Sequence, residues 1–159
     1  MTRFAELLKA LDAGGVEFIV VGGVAAAAHG SARTTQDVDV VYSREPGNLR
    51  KLVAALQPLN PYLRGAPPGL PFRFDFETLS AGLNFTLTTD LGWIDLLGEI
   101  AGGGRYQDLV GHTIAVAAFG VKCQVLDLES LIRTKRAAGR PRDLEAIAEL
   151  ELLRRRTRA

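Results

Sequence analysis

A chain of 159 residues is one domain's worth and buries about two-thirds of its unfolded surface. With 47% hydrophobic and 23% charged residues it is neither disordered nor fibrous, and no apolar run reaches the roughly 18 residues of a membrane span. The net charge of +1 argues against a protein that coats nucleic acid, although residues 131–159 hold nine Lys or Arg against four acids. Arg154-Arg155-Arg156 reads as a solvated helix end, with steering of a polyanion as the alternative. One cysteine, Cys123, makes no intramolecular disulfide or zinc cluster. The start, Met1 to Glu6, has no apolar signal-peptide stretch, so a cytoplasmic, reducing setting is expected.

The order of predicted elements begins with a helix carrying Phe4, Leu7, Leu8 and Leu11 on one face and ending at Gly14-Gly15. Residues 17–21 form a short, nearly all-apolar strand of the kind buried on both faces. Gly22-Gly23 breaks it, and residues 24–29 read as an alanine-rich helix closed by Gly30. Residues 37–42 alternate as a strand, and Pro46 opens a helix over 46–57. Residues 58–71, with five prolines and two glycines, read as a loop. Residues 84–88 and 93–97 form one hairpin, and residues 112–118 and 121–126 a second one through Phe119-Gly120. Helices over 127–138 and 141–155 finish the chain. This alternation predicts a single α/β (α+β) domain over 1–159, a mixed sheet flanked by helices.

A strand ending in Gly22-Gly23 and running into a helix leaves outward-pointing N–H groups that suit a phosphate; the plain alternative is a tight turn. Asp37 and Asp39, at i and i+2 of one strand, project to the same side about 7 Å apart at the backbone. Two like charges there repel, and a divalent cation with a taste for hard oxygen, such as Mg²⁺, resolves the repulsion. Otherwise both acids face water on an edge strand. Asp95 is a lone acid in the greasy strand Trp93-Ile94-Asp95-Leu96-Leu97, which calls for a charged partner or a metal. Three acids beside a phosphate-binding helix terminus are the components of two-metal phosphoryl chemistry.

Gly22-Gly23, thirteen residues, then Asp37-Val38-Asp39-Val40 resembles the signature of the polymerase-β-like nucleotidyltransferase superfamily. The run from Gly22 through His29-Gly30 and Arg33-Thr34-Thr35-Gln36 to Asp39 is similar to small bacterial members, among them the nucleotidyltransferases of abortive-infection type IV toxin–antitoxin systems. The stretch from Lys135 to Arg140-Pro141-Arg142-Asp143-Leu144 resembles their C-terminal motif. The resemblance implies a polymerase-β palm-like fold and transfer of NMP from an NTP to a hydroxyl of an RNA such as tRNA, a protein or a small molecule. It implies Mg²⁺ or Mn²⁺ on Asp37, Asp39 and Asp95, with Asp95 helping to deprotonate the acceptor. It further implies phosphate binding by Gly22, Gly23, Arg33 and Lys135, and a cognate antitoxin as possible partner. Larger members add a helical domain; here residues 127–159 alone follow the sheet.

Lys135 has support of its own, because it continues the helical stripe of Leu128, Leu131 and Ile132 and so either snorkels or reaches an anion in a cleft. Asp143, in the first turn of the last helix, is read as dipole compensation or a partner for a nearby arginine. His29 and His112 lack ligand-spaced companions, and Gly102-Gly103-Gly104-Arg105 is read as a loop. Cys123 and Trp93 are read as core residues, with base stacking the alternative for Trp93. A dinucleotide-binding unit is rejected for want of the third glycine and a longer crossover helix. The rival from another class is a non-catalytic nucleotide-binding or toxin–antitoxin partner module on the same fold.

Overall fold

The computed structural model describes residues 1–118 and 120–158. Helix α1 (Phe4–Ala13) buries Leu7, Leu8 and Leu11 and ends at Gly14, followed by Gly15 at φ +68°. Strand β1 (Phe18–Val21) is buried throughout, α2 (Gly22–Ala28) follows it without a break, and β2 (Asp37–Tyr42) buries Val38 and Val40 while its acids face the other way. After α3 (Pro46–Leu56) come β3 (Tyr62–Leu63), α4 (Phe76–Ala81), β4 (Asn84–Thr89) and β5 (Gly92–Leu97). The chain then runs through α5 (Tyr106–Leu109), β6 (Thr113–Ala118), β7 (Val121–Leu126), α6 (Leu128–Ala138) and α7 (Pro141–Arg158).

Among the described residues, seven strands form one mixed sheet in the order β3-β4-β5-β2-β1-β7-β6. Strands β2 and β5 run parallel side by side, as do β1 and β7; the other neighbours are antiparallel. Helices α1, α3 and α4 pack together, and α2 packs against α6, which packs on α7. One continuous apolar core joins both groups to the sheet. Among the described residues no helix is long and apolar enough to cross a membrane.

Both expected hairpins are present, although Phe119 of the second lies outside the described residues. Two sequence readings are corrected. Residues 58–71 are not loop throughout: Tyr62 and Leu63 pair with Thr88 and Leu87, adding an edge strand that proline and glycine on either side conceal. Trp93 is not a core residue; it is 40% exposed and lines a cleft, because β5 turns that side of its ladder to solvent.

Candidate functional site

The strand register builds the site. Asp39 lies directly opposite Asp95 across the parallel β2–β5 pair, and Asp37 lies opposite Trp93. Alternation therefore puts Asp37, Asp39, Trp93 and Asp95 on one face, and the three acids each offer a carboxylate oxygen within 4.8 Å of the others. On the far side of β2, Val21 pairs with Asp39, so the chain leaves β1 beside that carboxylate. Gly22 sits there at φ +65°, and a Cβ on it would collide with the Asp39 carboxylate. A Cβ on Gly23 would likewise collide with Thr35, 2.6 Å from its Cβ and Oγ1. The glycines thus serve close approach of backbone to acid as well as the turn. No side chain caps the N-terminus of α2.

These constraints make Gly22→Ala a severe change. It adds a side chain at positive φ and into the Asp39 carboxylate, a combination worth about 2–4 kcal/mol. A fall in Tm on the order of 5–10 °C is expected in thermal melts, with Gly47→Ala, where a Cβ meets open space, as the neutral control.

A cleft of about 650 Å³ lies over the acids. Gly23, Arg33, Asp37, Asp39, Asp95 and Lys135 all line it, so the structure brings together every site residue nominated from the sequence except Gly22, which lies behind Asp39. Arg140 and Arg142, which the sequence did not nominate as binding residues, also line it. Arg33 lies 3.8 Å from the exposed Glu145, a loose surface pair. Lys135 Nζ lies 3.6 Å from Oδ1 of Asp143. Asp143 is 1% exposed and takes Arg140 Nε on Oδ2 at 2.6 Å, so the arginine pairing expected for it is present.

Electrostatics follow from this crowding. Burial, then the charges of Asp37 and Asp95, push the Asp39 carboxyl up to about 8, with Lys135 pulling the other way. Burial also raises Asp95, against the opposing pull of Arg64 and with a further push from Asp37. Burial acts to raise Asp143, yet the hydrogen bonds and charge of Arg140, with help from Lys135, hold it below its ordinary value. Oδ1 of Asp39 and Oδ1 of Asp95 are buried without a hydrogen-bond partner. Three hard-oxygen donors, two of them with orphaned atoms, fit a divalent cation.

Arg64 is a further residue the sequence reading missed, and the one nearest the acids. It follows β3, and its backbone N–H donates to Thr86 at 3.1 Å, extending the β3–β4 ladder by one residue. Thr86 faces Asp95 in the next pair, so Arg64 points along the same row. Its Nη2 stands 2.9 Å from Asp95 Oδ1, an ion pair whose N–H direction does not make it a hydrogen bond. Its Nη1 lies 3.5 Å from Asp37 Oδ2, and its guanidinium lies 4.8 Å above the Trp93 ring. The signal was present: Arg64 is the one charged residue among positions 58–71.

Neither a protein-family model nor a curated protein matches the chain. Solved structures do. The chain aligns over 99% of its length with 96% of a candidate nucleotidyltransferase, TM1012 from Thermotoga maritima, at TM-score 0.54 and 17% identity. It aligns over 98% of its length with 94% of ANT(2'')-Ia in complex with adenylyl-2''-tobramycin, at TM-score 0.57 and 16% identity. A solution structure of the antibiotic-resistance factor ANT(2'')-Ia aligns with 98% of the chain over 89% of its own, at TM-score 0.53 and 16% identity. The mixed sheet, its flanking helices and the end-to-end alignments together make this a nucleotidyltransferase fold.

Proposed function

We propose that the protein is a metal-dependent nucleotidyltransferase that moves a nucleoside monophosphate from an NTP to a hydroxyl acceptor and releases pyrophosphate. The observation that carries this reading is Asp39 facing Asp95 in register, with Asp37 two residues away, beneath a cleft walled by Arg33, Lys135, Arg140 and Arg142. Asp37, Asp39 and Asp95 would hold Mg²⁺ or Mn²⁺. When bound there, such an ion lowers the pKa of the acceptor oxygen and offsets charge on the leaving group.

The chain's own residues do the rest. The acceptor oxygen forms its bond to the α-phosphorus as the α–β bridging bond breaks and pyrophosphate departs. Asp95, made more basic by burial, takes the acceptor's proton on its carboxylate. The backbone at Gly23, which lines the cleft, would meet the β- and γ-phosphates, with Gly22 giving the turn its close approach to Asp39. Arg33 and Lys135 supply positive charge to a triphosphate of about four negative charges, and Arg140 and Arg142 add to it.

The acceptor is the open element of this reading: a small molecule, an RNA such as tRNA, or a protein. ANT(2'')-Ia was solved with adenylyl-2''-tobramycin, which puts small hydroxylated molecules first in the panel. A toxin–antitoxin pairing is not part of the proposal. The test incubates the protein with each labelled NTP, Mg²⁺ or Mn²⁺, and aminoglycosides, tRNA or cell extract. Label on an acceptor, lost on Asp39→Asn, is the expected result. Magnesium-dependent nucleotide binding with no labelled product would instead favour a binding module, a reading for which Arg64 among the acids is the supporting observation.

A further inference from the structure

Arg64 brings a permanent positive charge to the acid cluster. Its two terminal nitrogens lie 2.9 Å from Asp95 and 3.5 Å from Asp37, so it faces two of the three carboxylates at once. The side chain is only 18% exposed, and Nη2 donates to the Leu87 carbonyl at 2.7 Å. Its hydrogen bonding is incomplete, however. Nε is buried with no hydrogen-bond partner, and the Asp95 oxygen is met by Nη2 as a close ion pair without an aligned hydrogen bond. A guanidinium locked in place for structure would normally satisfy these groups, often with a bidentate fork. The arrangement here balances charge and leaves hydrogen-bonding capacity unused.

We propose that Arg64 is a tethered counter-cation: it holds Asp37 and Asp95 while the acid cluster lacks a divalent ion and leaves them when one binds. The inference rests on the reading of the cluster as a metal site. A metal ion and a guanidinium cannot share the same carboxylate lone pairs, since hard-oxygen coordination needs contacts at about 2.0–2.6 Å. The displaced group has somewhere to go. Trp93, whose ring it already overlies, is partly exposed and lines the open cleft, so the guanidinium can slide along the ring without entering bulk water. The backbone of Arg64 stays fixed by the β3–β4 ladder, which confines the movement to the side chain. The apparent affinity for the ion is then the ion's intrinsic affinity reduced by the hold of Arg64.

Trp93 is the sole tryptophan, so its emission reports directly on the guanidinium above it. The experiment titrates Mg²⁺ into nucleotide-free wild type, Arg64→Met and Arg64→Lys, following heat by calorimetry and tryptophan emission in parallel. Arg64→Met is expected to bind Mg²⁺ about tenfold more tightly than wild type, with Arg64→Lys, which keeps a cation but loses the fork, in between. Mg²⁺ is expected to change wild-type emission, and that change is expected to vanish in Arg64→Met. If Arg64→Met does not fold, tighter binding by Arg64→Lys and the wild-type emission change carry the test. Equal or weaker Mg²⁺ affinity in the variants would overturn the role of Arg64 and leave the metal site standing. Absence of Mg²⁺ binding in all three proteins would overturn both.

Discussion

Replacing Asp39 with asparagine is expected to lower nucleotidyl transfer roughly a thousandfold or more while the metal-free protein becomes more stable at alkaline pH. Both effects come from one position. Asp39 is the central carboxylate, opposite Asp95 in register and two residues from Asp37, so an amide there removes a ligand charge that its neighbours cannot replace. The stability effect follows from linkage. The carboxyl is raised to about 8 in the folded state, so folding favours its protonated form. A raised acid contributes stability that is complete below its unfolded value and is lost as pH rises through the folded value. Metal-free wild type is therefore expected to weaken between about pH 4 and pH 8 relative to Asp39→Asn, with a Tm difference on the order of 5–10 °C by pH 8.5. Mg²⁺ should close that gap by stabilising wild type and leave Asp39→Asn nearly unmoved. Parallel melts across pH, with and without Mg²⁺, check the sign. A gap that narrows as pH rises would show that Asp39 is ionised in the metal-free fold at neutral pH.

The parts of this site legible in the sequence were those governed by local rules. Period-two spacing put Asp37 and Asp39 on one face, and an acid among apolar neighbours singled out Asp95. The helical stripe with Lys135 at its end located a cation that does line the cleft. What the sequence could not carry was long-range register. That Asp95 would face Asp39 depends on β5 pairing in parallel with β2, and no local pattern fixes which strands become neighbours. Arg64 escapes local rules for a related reason. Its strand is two residues long and framed by proline and glycine, so every local signal says loop, while its function comes from the row it shares with Thr86 and Asp95. Apolar neighbours make Trp93 read as a core residue, whereas alternation puts it on the acid-bearing face.

The second large effect is expected at Asp143, whose conversion to asparagine should lower stability by about 2–3 kcal/mol and weaken nucleotide binding at least tenfold. Asp143 is buried on the first turn of α7 and joins three groups. It takes Arg140 Nε at 2.6 Å and Nη2 at 3.2 Å, accepts the Arg140 backbone N–H at 3.2 Å, and lies 3.6 Å from Lys135 on α6. The backbone contact caps the start of α7 while the charge favours the helix dipole. Removing the charge leaves Lys135, itself mostly covered, without its ion-pair partner, whereas the half-exposed Arg140 can return to water, which keeps the cost near the low end for a buried pair. The pH signature has the opposite sign to that of Asp39. A depressed carboxyl contributes stability present above its unfolded value near 3.8 and lost as pH falls through the folded value. Wild type should therefore lose its advantage over Asp143→Asn as pH drops below about 4. For binding, two forces compete: the loss of one negative charge near the phosphates favours the anion, and the loss of the link between α6 and α7 scatters Lys135 and Arg140. Positioning should prevail, because a triphosphate needs both cations at hydrogen-bond range and Coulomb attraction across a wet cleft is screened. Calorimetric titration of a non-hydrolysable NTP into wild type, Asp143→Asn and Lys135→Met decides the matter. Weaker binding in both variants identifies Asp143 as the residue that sets the phosphate-facing cations; tighter binding in Asp143→Asn would make it a brake on anion affinity instead.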